Sequence, residues 1–162
     1  MDVMGVRSDL IAEQNALDRI VSSIETSQWG LESPSPGWSV ADQIAHLAYF
    51  DNAAALAISD PEQFQNTVDD LLAMFSRGDD AEASMLASYR LMSPDELLES
   101  WREARLTLAD TSGDLTDKRR VVWYGPSMGS KSFLTARLME VWAHGQDILD
   151  AVGLERSETD RL

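Results

Sequence analysis

Apolar positions recur at helical spacing over four long stretches of this chain. From Val6 to Ser27, the residues Leu10, Ile11, Leu17, Ile20, Val21 and Ile24 are separated by polar and charged positions, the three-to-four spacing of one buried helix face. The run Ser33-Pro34-Ser35-Pro36-Gly37-Trp38 then opposes helix and predicts an extended loop. Ser39 follows as an N-cap whose hydroxyl can accept from backbone N–H groups near Asp42, and a second helix is predicted from Val40 to about Ile58. Between Asp60 and Arg90 the pattern is acidic and looser. Phe64, Val68, Leu71, Leu72 and Phe75 predict one shorter helix there, and Met85, Leu86 and Tyr89 another.

Ser93-Pro94-Asp95-Glu96 is a helix start: Ser93 and Glu96 have capping-box spacing, and Pro94 occupies the first helical position, where its missing N–H costs nothing. This third long helix is predicted to run to about Ala109. A short extended piece is predicted around Val121-Val122-Trp123-Tyr124, before the Gly125-Pro126 turn. The fourth long helix runs from about Lys131 to Val152 and stops at Gly153. The pattern predicts an all-α four-helix bundle with additional short helices between the second and third long ones, in residues 1–153. Residues 154–162 read as a tail or as a connector to a second domain.

Composition sharpens this picture by exclusion. A chain of 162 residues, 44% of them hydrophobic, suits one domain that buries roughly 70% of its unfolded surface. The 28 acidic against 13 basic residues give a formal charge of −15, which opposes binding to nucleic acid or anionic lipid. Lys118-Arg119-Arg120 is the longest basic run; it lies close to Asp114 and Asp117 and reads as a solvated loop. There is no cysteine, so disulfides, thiolate metal ligands and a cysteine nucleophile are excluded. Neither a secretory leader pattern nor an apolar run of roughly 18 residues is visible, and the chain reads as cytoplasmic.

The candidate chemistry lies in the fourth long helix. Arg137, Glu140, His144 and Asp147 are spaced three, four and three apart, within about 80° of helix arc, beside an apolar face of Leu134, Leu138, Val141, Ile148 and Val152. A carboxylate turned toward a bundle interior needs a partner. The other of the two histidines, His46, lies in the second helix with Tyr49, Phe50 and Ala53 along its face. If the two helices pack together, His46, Glu140 and His144 can converge as two nitrogens and one oxygen around a divalent ion with a position left open. The same spacing also suits a plain Glu140–His144 side-chain pair, and Arg137 with Glu140 suits either a surface ion pair or a clamp for an anionic substrate. Asp147 is a candidate acceptor that orients an imidazole, and Asp51 a secondary candidate. Tyr124, Ser127 and Arg137 flank the start of the helix and are expected at the mouth of a pocket; Trp142 is expected in the core.

The segments PSPGWSVADQIAHLAYFD and WYGPSMGSKSFLTARLMEVWAHGQDILDAVG resemble the DinB-like superfamily, and within it the actinobacterial metal-binding group related to mycothiol-dependent maleylpyruvate isomerase. The resemblance extends over nearly the whole chain. It implies that the family's His, Glu and His ligands fall on His46, Glu140 and His144, holding zinc or another divalent ion such as nickel, manganese or iron. It also implies a low-molecular-weight thiol, mycothiol in actinobacteria, as co-substrate, with a metal-stabilised thiolate supplying the nucleophile that the chain lacks. The function expected is addition of that thiol to a small electrophilic metabolite, of S-transferase or isomerase type. The alternatives are a thiol-independent metal-dependent hydrolase or cyclase and a non-catalytic metal-binding protein. A homodimer is compatible with helix faces of this kind.

Overall fold

The computed structural model describes residues 1–161 and places six α-helices and one two-stranded sheet. Helix α1 spans Val3–Val21, α2 Val40–Ser59, α3 Pro61–Ser76, α4 Ala81–Leu86, α5 Pro94–Thr111 and α6 Ser130–Val152. Strands β1, Arg120–Val121, and β2, Met128–Gly129, pair antiparallel across the Gly125-Pro126 turn. The four long helices form the bundle: α2 packs on α5 and α6, and α1 packs on α6 and more lightly on α5. The fold is therefore the all-α bundle expected, with α3 and α4 as the short helices between its second and third members.

Local chemistry sets the helix ends. The Asp2 carboxylate accepts from Gly5 N–H and starts α1 three residues before the expected position. The helix also ends early, at Val21, where the Ser23 hydroxyl donates to the Ile20 carbonyl. A separate 3₁₀ turn, Thr26–Gly30, opens on a Glu25–Gln28 capping box and buries Trp29, so Ile24 lies outside any helix. Ser39 caps α2 as predicted, and Asp42 completes a reciprocal box by accepting from Ser39 N–H at 2.9 Å. Burial alone would raise the Asp42 carboxyl, but Ser39 and Arg90 outweigh it and hold it below its ordinary value. Gly153 ends α6 with φ +69, a left-handed conformation that residues with a Cβ adopt at a cost.

Trp101, Phe64, Phe133, Leu10, Leu17 and Ile44 are among the largest fully buried side chains; each such burial stabilises the fold by about 1.5–3 kcal/mol. The shorter helix expected over Phe64 to Phe75 forms as α3, while the expectations for Trp142 and for the Lys118–Arg120 run are corrected. Leu72 and Phe75 continue the apolar period of α3, but only Phe64 and Val68 of that helix are buried, because α3 meets the bundle along a short stretch. Trp142 is 43% exposed and carries the Arg156 guanidinium over its ring at 5.1 Å, so it is a surface platform and not core. In the Lys118–Arg120 run Lys118 is exposed, as a solvated loop implies, but Arg119 donates to the Ile58 carbonyl, and Arg120 belongs to β1 and donates to Ser127. The segment after α6 is likewise tied down, with Arg156 and Arg161 donating to the buried Glu13 of α1 at 2.7 and 2.8 Å. Leu162 lies outside the described residues. No helix among them is long and apolar enough to cross a membrane.

Candidate metal centre

Packing of α2 against α6 brings His46 opposite Glu140 and His144. His46 Nε2 lies 3.2 Å and His144 Nε2 3.0 Å from the same oxygen, Glu140 Oε2, and the two imidazole centroids are 4.2 Å apart. Their ligand atoms all lie within 4.8 Å of one another, and the three residues are half-buried. Donors about 2.0–2.1 Å from a tetrahedral ion sit roughly 3.3 Å from each other, so the spacing here fits one small divalent cation. Two imidazole nitrogens and a carboxylate oxygen are also a donor set that zinc, nickel, manganese and ferrous iron accept.

The wiring of His144 adds a second reason. Its Nδ1 contacts Gln43 Oε1, a carbonyl oxygen that can only accept, so Nδ1 carries a proton. In the neutral ring Nε2 is then a bare lone pair facing the Glu140 carboxylate. Two acceptors at 3.0 Å repel unless a proton or a metal cation lies between them. Contacts with His144 and then His46 hold the Glu140 carboxyl far below the usual carboxylate range. Burial holds the His46 imidazole below its ordinary value despite the opposing Glu140 contact.

A cleft of about 120 Å³ opens beside these residues, walled by Phe50, Trp123, Met128 and Phe133 and by Arg137, His46 and Glu140. Trp38 closes another side: its indole stacks on His144 at 5.9 Å with 13° between planes and lies 5.2 Å from His46. Trp38 Nε1 donates to Glu82 of α4 at 2.7 Å, which ties that lid of aromatic surface to a short helix far away in sequence.

The other candidates fall in varied places. Arg137 is almost fully buried and does not pair with Glu140; its Nη2 donates to Asp51 Oδ1 at 2.9 Å, and its buried Nε has no hydrogen-bond partner. Asp51 is itself wholly buried and accepts also from Gln14 at 3.0 Å and Trp101 at 3.3 Å, so it belongs to the core and supports Arg137 from behind. Burial pushes the Asp51 carboxyl up, and Arg137, Trp101 and Gln14 oppose that. Tyr124 stands edge-on to Phe50 at 5.7 Å and to Phe64 at 5.3 Å, outside the cleft wall; burial, reinforced by Tyr49, pushes its phenol up. Ser127 is exposed and turned to Arg120, away from the expected pocket mouth. Asp147 touches no imidazole: it accepts from Ser35 Oγ at 2.6 Å and Gln43 Nε2 at 3.1 Å, and reaches His144 only through Gln43.

Gln43 and Trp38 are the residues that sequence reading missed. Gln43 lies one helical turn before His46 with no visible chemical role until α6 is placed. Trp38 could have been suspected, since an aromatic immediately after a Pro-Gly turn and before a helix cap is held rigidly.

Comparison with known proteins agrees with this architecture. The family model for the mycothiol maleylpyruvate isomerase N-terminal domain matches residues 10–149. Two uncharacterised Mycobacterium tuberculosis proteins, from strains CDC 1551 / Oshkosh and ATCC 25618 / H37Rv, are each 39% identical over 155 residues, covering 96% of this chain and 59% of theirs. The crystal structure of the mycothiol-dependent maleylpyruvate isomerase superposes with a TM-score of 0.66 at 20% identity, over 91% of this chain and 61% of that one. A histidine-to-alanine mutant of that enzyme gives 0.66 at 19% identity over the same shares. The chain thus spans about three fifths of the length of these relatives.

Proposed function

This chain belongs to the mycothiol maleylpyruvate isomerase N-terminal domain family, and from that premise we propose that it is a divalent-metal-dependent enzyme acting on a small electrophilic metabolite with a low-molecular-weight thiol such as mycothiol. His46, Glu140 and His144 hold the ion, zinc in the first instance. The single observation that carries this reading is the pair of imidazole Nε2 atoms aimed at one Glu140 oxygen from 3.2 and 3.0 Å. When bound, a divalent ion supplies a Lewis acid that keeps a thiol or a water deprotonated at neutral pH.

The chain's own residues do the rest. Phe50, Trp123, Met128 and Phe133 give the cleft an apolar wall that excludes water from the reacting end of the substrate. About 120 Å³ is below the roughly 300–1,000 Å³ of a full ligand site, so the cleft receives only that end and the remainder lies outside it. Arg137, fixed by Asp51, places a permanent positive charge on the cleft wall and orients an anionic group such as a carboxylate. Tyr124 stiffens Phe50 from behind, and Asp147 steadies His144 through Gln43. Function of this kind belongs in the cytoplasm, where such thiols are kept reduced.

Elemental analysis of protein purified without chelator or His-tag tests the centre: about one divalent ion per chain in wild type, lost in His144→Ala, is expected. No ion after incubation with zinc, manganese, nickel or ferrous iron overturns it. A thiol titrated into the cobalt-substituted protein should produce a sulfur-to-metal charge-transfer band. Its absence with cobalt bound points to a thiol-independent hydrolase or cyclase, and no turnover of an electrophile panel with thiol present points to a non-catalytic metal-binding protein.

A further inference from the structure

Gln43 is fully buried, and both polar atoms of its amide are partnered: Nε2 donates to Ser33 Oγ at 2.9 Å and to Asp147 Oδ2 at 3.1 Å, while Oε1 accepts from His144 Nδ1. An amide in isolation can turn end for end at little cost, exchanging its donor and acceptor ends. Here it cannot. Asp147 presents a carboxylate, which only accepts. Ser33 can both donate and accept, but its hydroxyl proton is already directed to the Trp38 carbonyl at 2.9 Å, which leaves a lone pair for Gln43. Both neighbours of Nε2 therefore demand a donor, and a turned amide would set its carbonyl against a carboxylate oxygen and a hydroxyl lone pair in a buried site.

We propose that Gln43 is a positioning residue whose amide, locked in direction by Asp147 and Ser33, holds His144 in the Nδ1–H tautomer and so keeps its Nε2 lone pair facing Glu140 and the metal position. Each step follows from hydrogen-bond polarity. The carboxylate of Asp147 selects N–H of Gln43, which turns C=O of Gln43 to His144, which requires N–H at Nδ1 and leaves Nε2 free to ligate. The Pro-Gly loop supplies the fixed end of the chain. Trp38 N–H donates to the Ser35 carbonyl at 3.1 Å across Pro36 and Gly37, with Gly37 at φ +81, the type II arrangement that needs glycine at its third position. That turn places the Ser35 hydroxyl on Asp147 and the Trp38 ring on His144. The inference rests on the metal-centre reading for its purpose, though not for its geometry.

The test uses the full chain with ¹⁵N-labelled histidine, in which only two imidazoles give signals. In the metal-free protein, at a pH where both rings are neutral, wild-type His144 is expected as the Nδ1–H tautomer. Asp147→Asn keeps the shape but offers Gln43 a group that can donate. It should let the amide turn, shift His144 toward a mixture of tautomers, and weaken zinc binding about 10–100-fold. An unchanged tautomer with zinc affinity within about twofold of wild type, or a wild-type His144 protonated at Nε2, overturns the lock. Should Asp147→Asn fold poorly, Gln43→Glu and Gln43→Leu decide. The introduced carboxyl, sharing one proton with Asp147, keeps a donor toward that carboxylate and an acceptor toward Nδ1–H, and is expected to keep the tautomer and most of the zinc affinity, whereas leucine loses both. Equal losses in the two variants indicate a packing role only and overturn the proposal. A wild type that shows the tautomer but takes up no zinc sinks the metal centre and upholds the lock, so the two failures are distinct.

Discussion

Two carboxylates lie in the same α2–α6 seam, Asp51 five residues beyond His46 and Glu140 one turn from Arg137, and their surroundings differ in kind. Asp51 is wholly buried, and its oxygens receive Arg137, Gln14 and Trp101, every one of them a donor that keeps its proton. Glu140 is 44% exposed at its side chain and receives two imidazoles, one of them wired by Gln43 to present a lone pair. The Asp51 carboxylate is satisfied without any further component. The second sets the His144 lone pair against the carboxylate, to be bridged by a proton or, in the function proposed above, by a metal cation. The contrast separates a structural ion pair from a ligand set more clearly than burial or residue type does, because both contain a carboxylate and a basic side chain on the same two helices.

The largest effect should come from breaking the Asp51 cluster. Arg137→Met leaves the Asp51 charge buried without its cation and is expected to cost about 3–5 kcal/mol in urea unfolding, with Asp51→Leu added on top restoring much of that. Two variants that destabilise independently would show that the pair is not a unit. Next comes the Glu140 cluster, where an added cation should itself stabilise. Zinc at a hundred times its Kd is expected to raise wild-type unfolding free energy by about 2.7 kcal/mol and to leave His144→Ala unmoved. Equal stabilisation of both proteins would remove the contrast.

Asp18 sharpens the comparison from a third position, between α1 and α5. Its carboxylate accepts from Arg102 at 2.7 Å and also contacts Arg105, so it too is satisfied. Hydrogen bonding to Arg102, with smaller help from Ser22 and Arg105, holds its carboxyl below the ordinary value against the cost of burial. A depressed value means stability that is present above the unfolded value near 3.8 and lost as pH falls through the folded one. Asp18→Asn is expected to cost about 2 kcal/mol at pH 7, measured by thermal unfolding, with the deficit shrinking below about pH 3.8. The smallest effect belongs to Ser127→Ala, which removes an exposed hydroxyl paired to Arg120. Stability within about 0.5 kcal/mol of wild type and unchanged zinc affinity are expected, and a larger change would extend the site to the β-turn.

The helices and their caps were legible from the chain because their causes are local. Ser39 with Asp42 and Ser93 with Glu96 act across three residues, and the predicted starts of α2 and α5 match the structure. Helix α1 was misjudged at its end because Ile24 continues the apolar period while the backbone has already turned at Ser22 and Ser23. Trp142 was misplaced for a related reason: period alone does not say where the apolar stripe of α6 stops and surface begins. The candidate triad was visible in composition and spacing, since only two histidines exist and one of them lies four residues from a glutamate on a mostly apolar helix, but spacing left a plain Glu140–His144 pair open and the family resemblance pointed to a metal.

What the sequence by itself determined is the set of helices, the break at the Pro-Gly loop and the short inventory of groups able to hold a cation. Tertiary structure alone decided how those groups are partnered. Arg137 went to Asp51 and not to Glu140, 86 residues separating the partners, and Gln43 became the neighbour of His144 across 101 residues. The physical reason is that a helix surface fixes which residues share a face within one or two turns, whereas the direction in which a buried donor finds its acceptor depends on the rotation and register of two helices packed together. Those are set by the whole core.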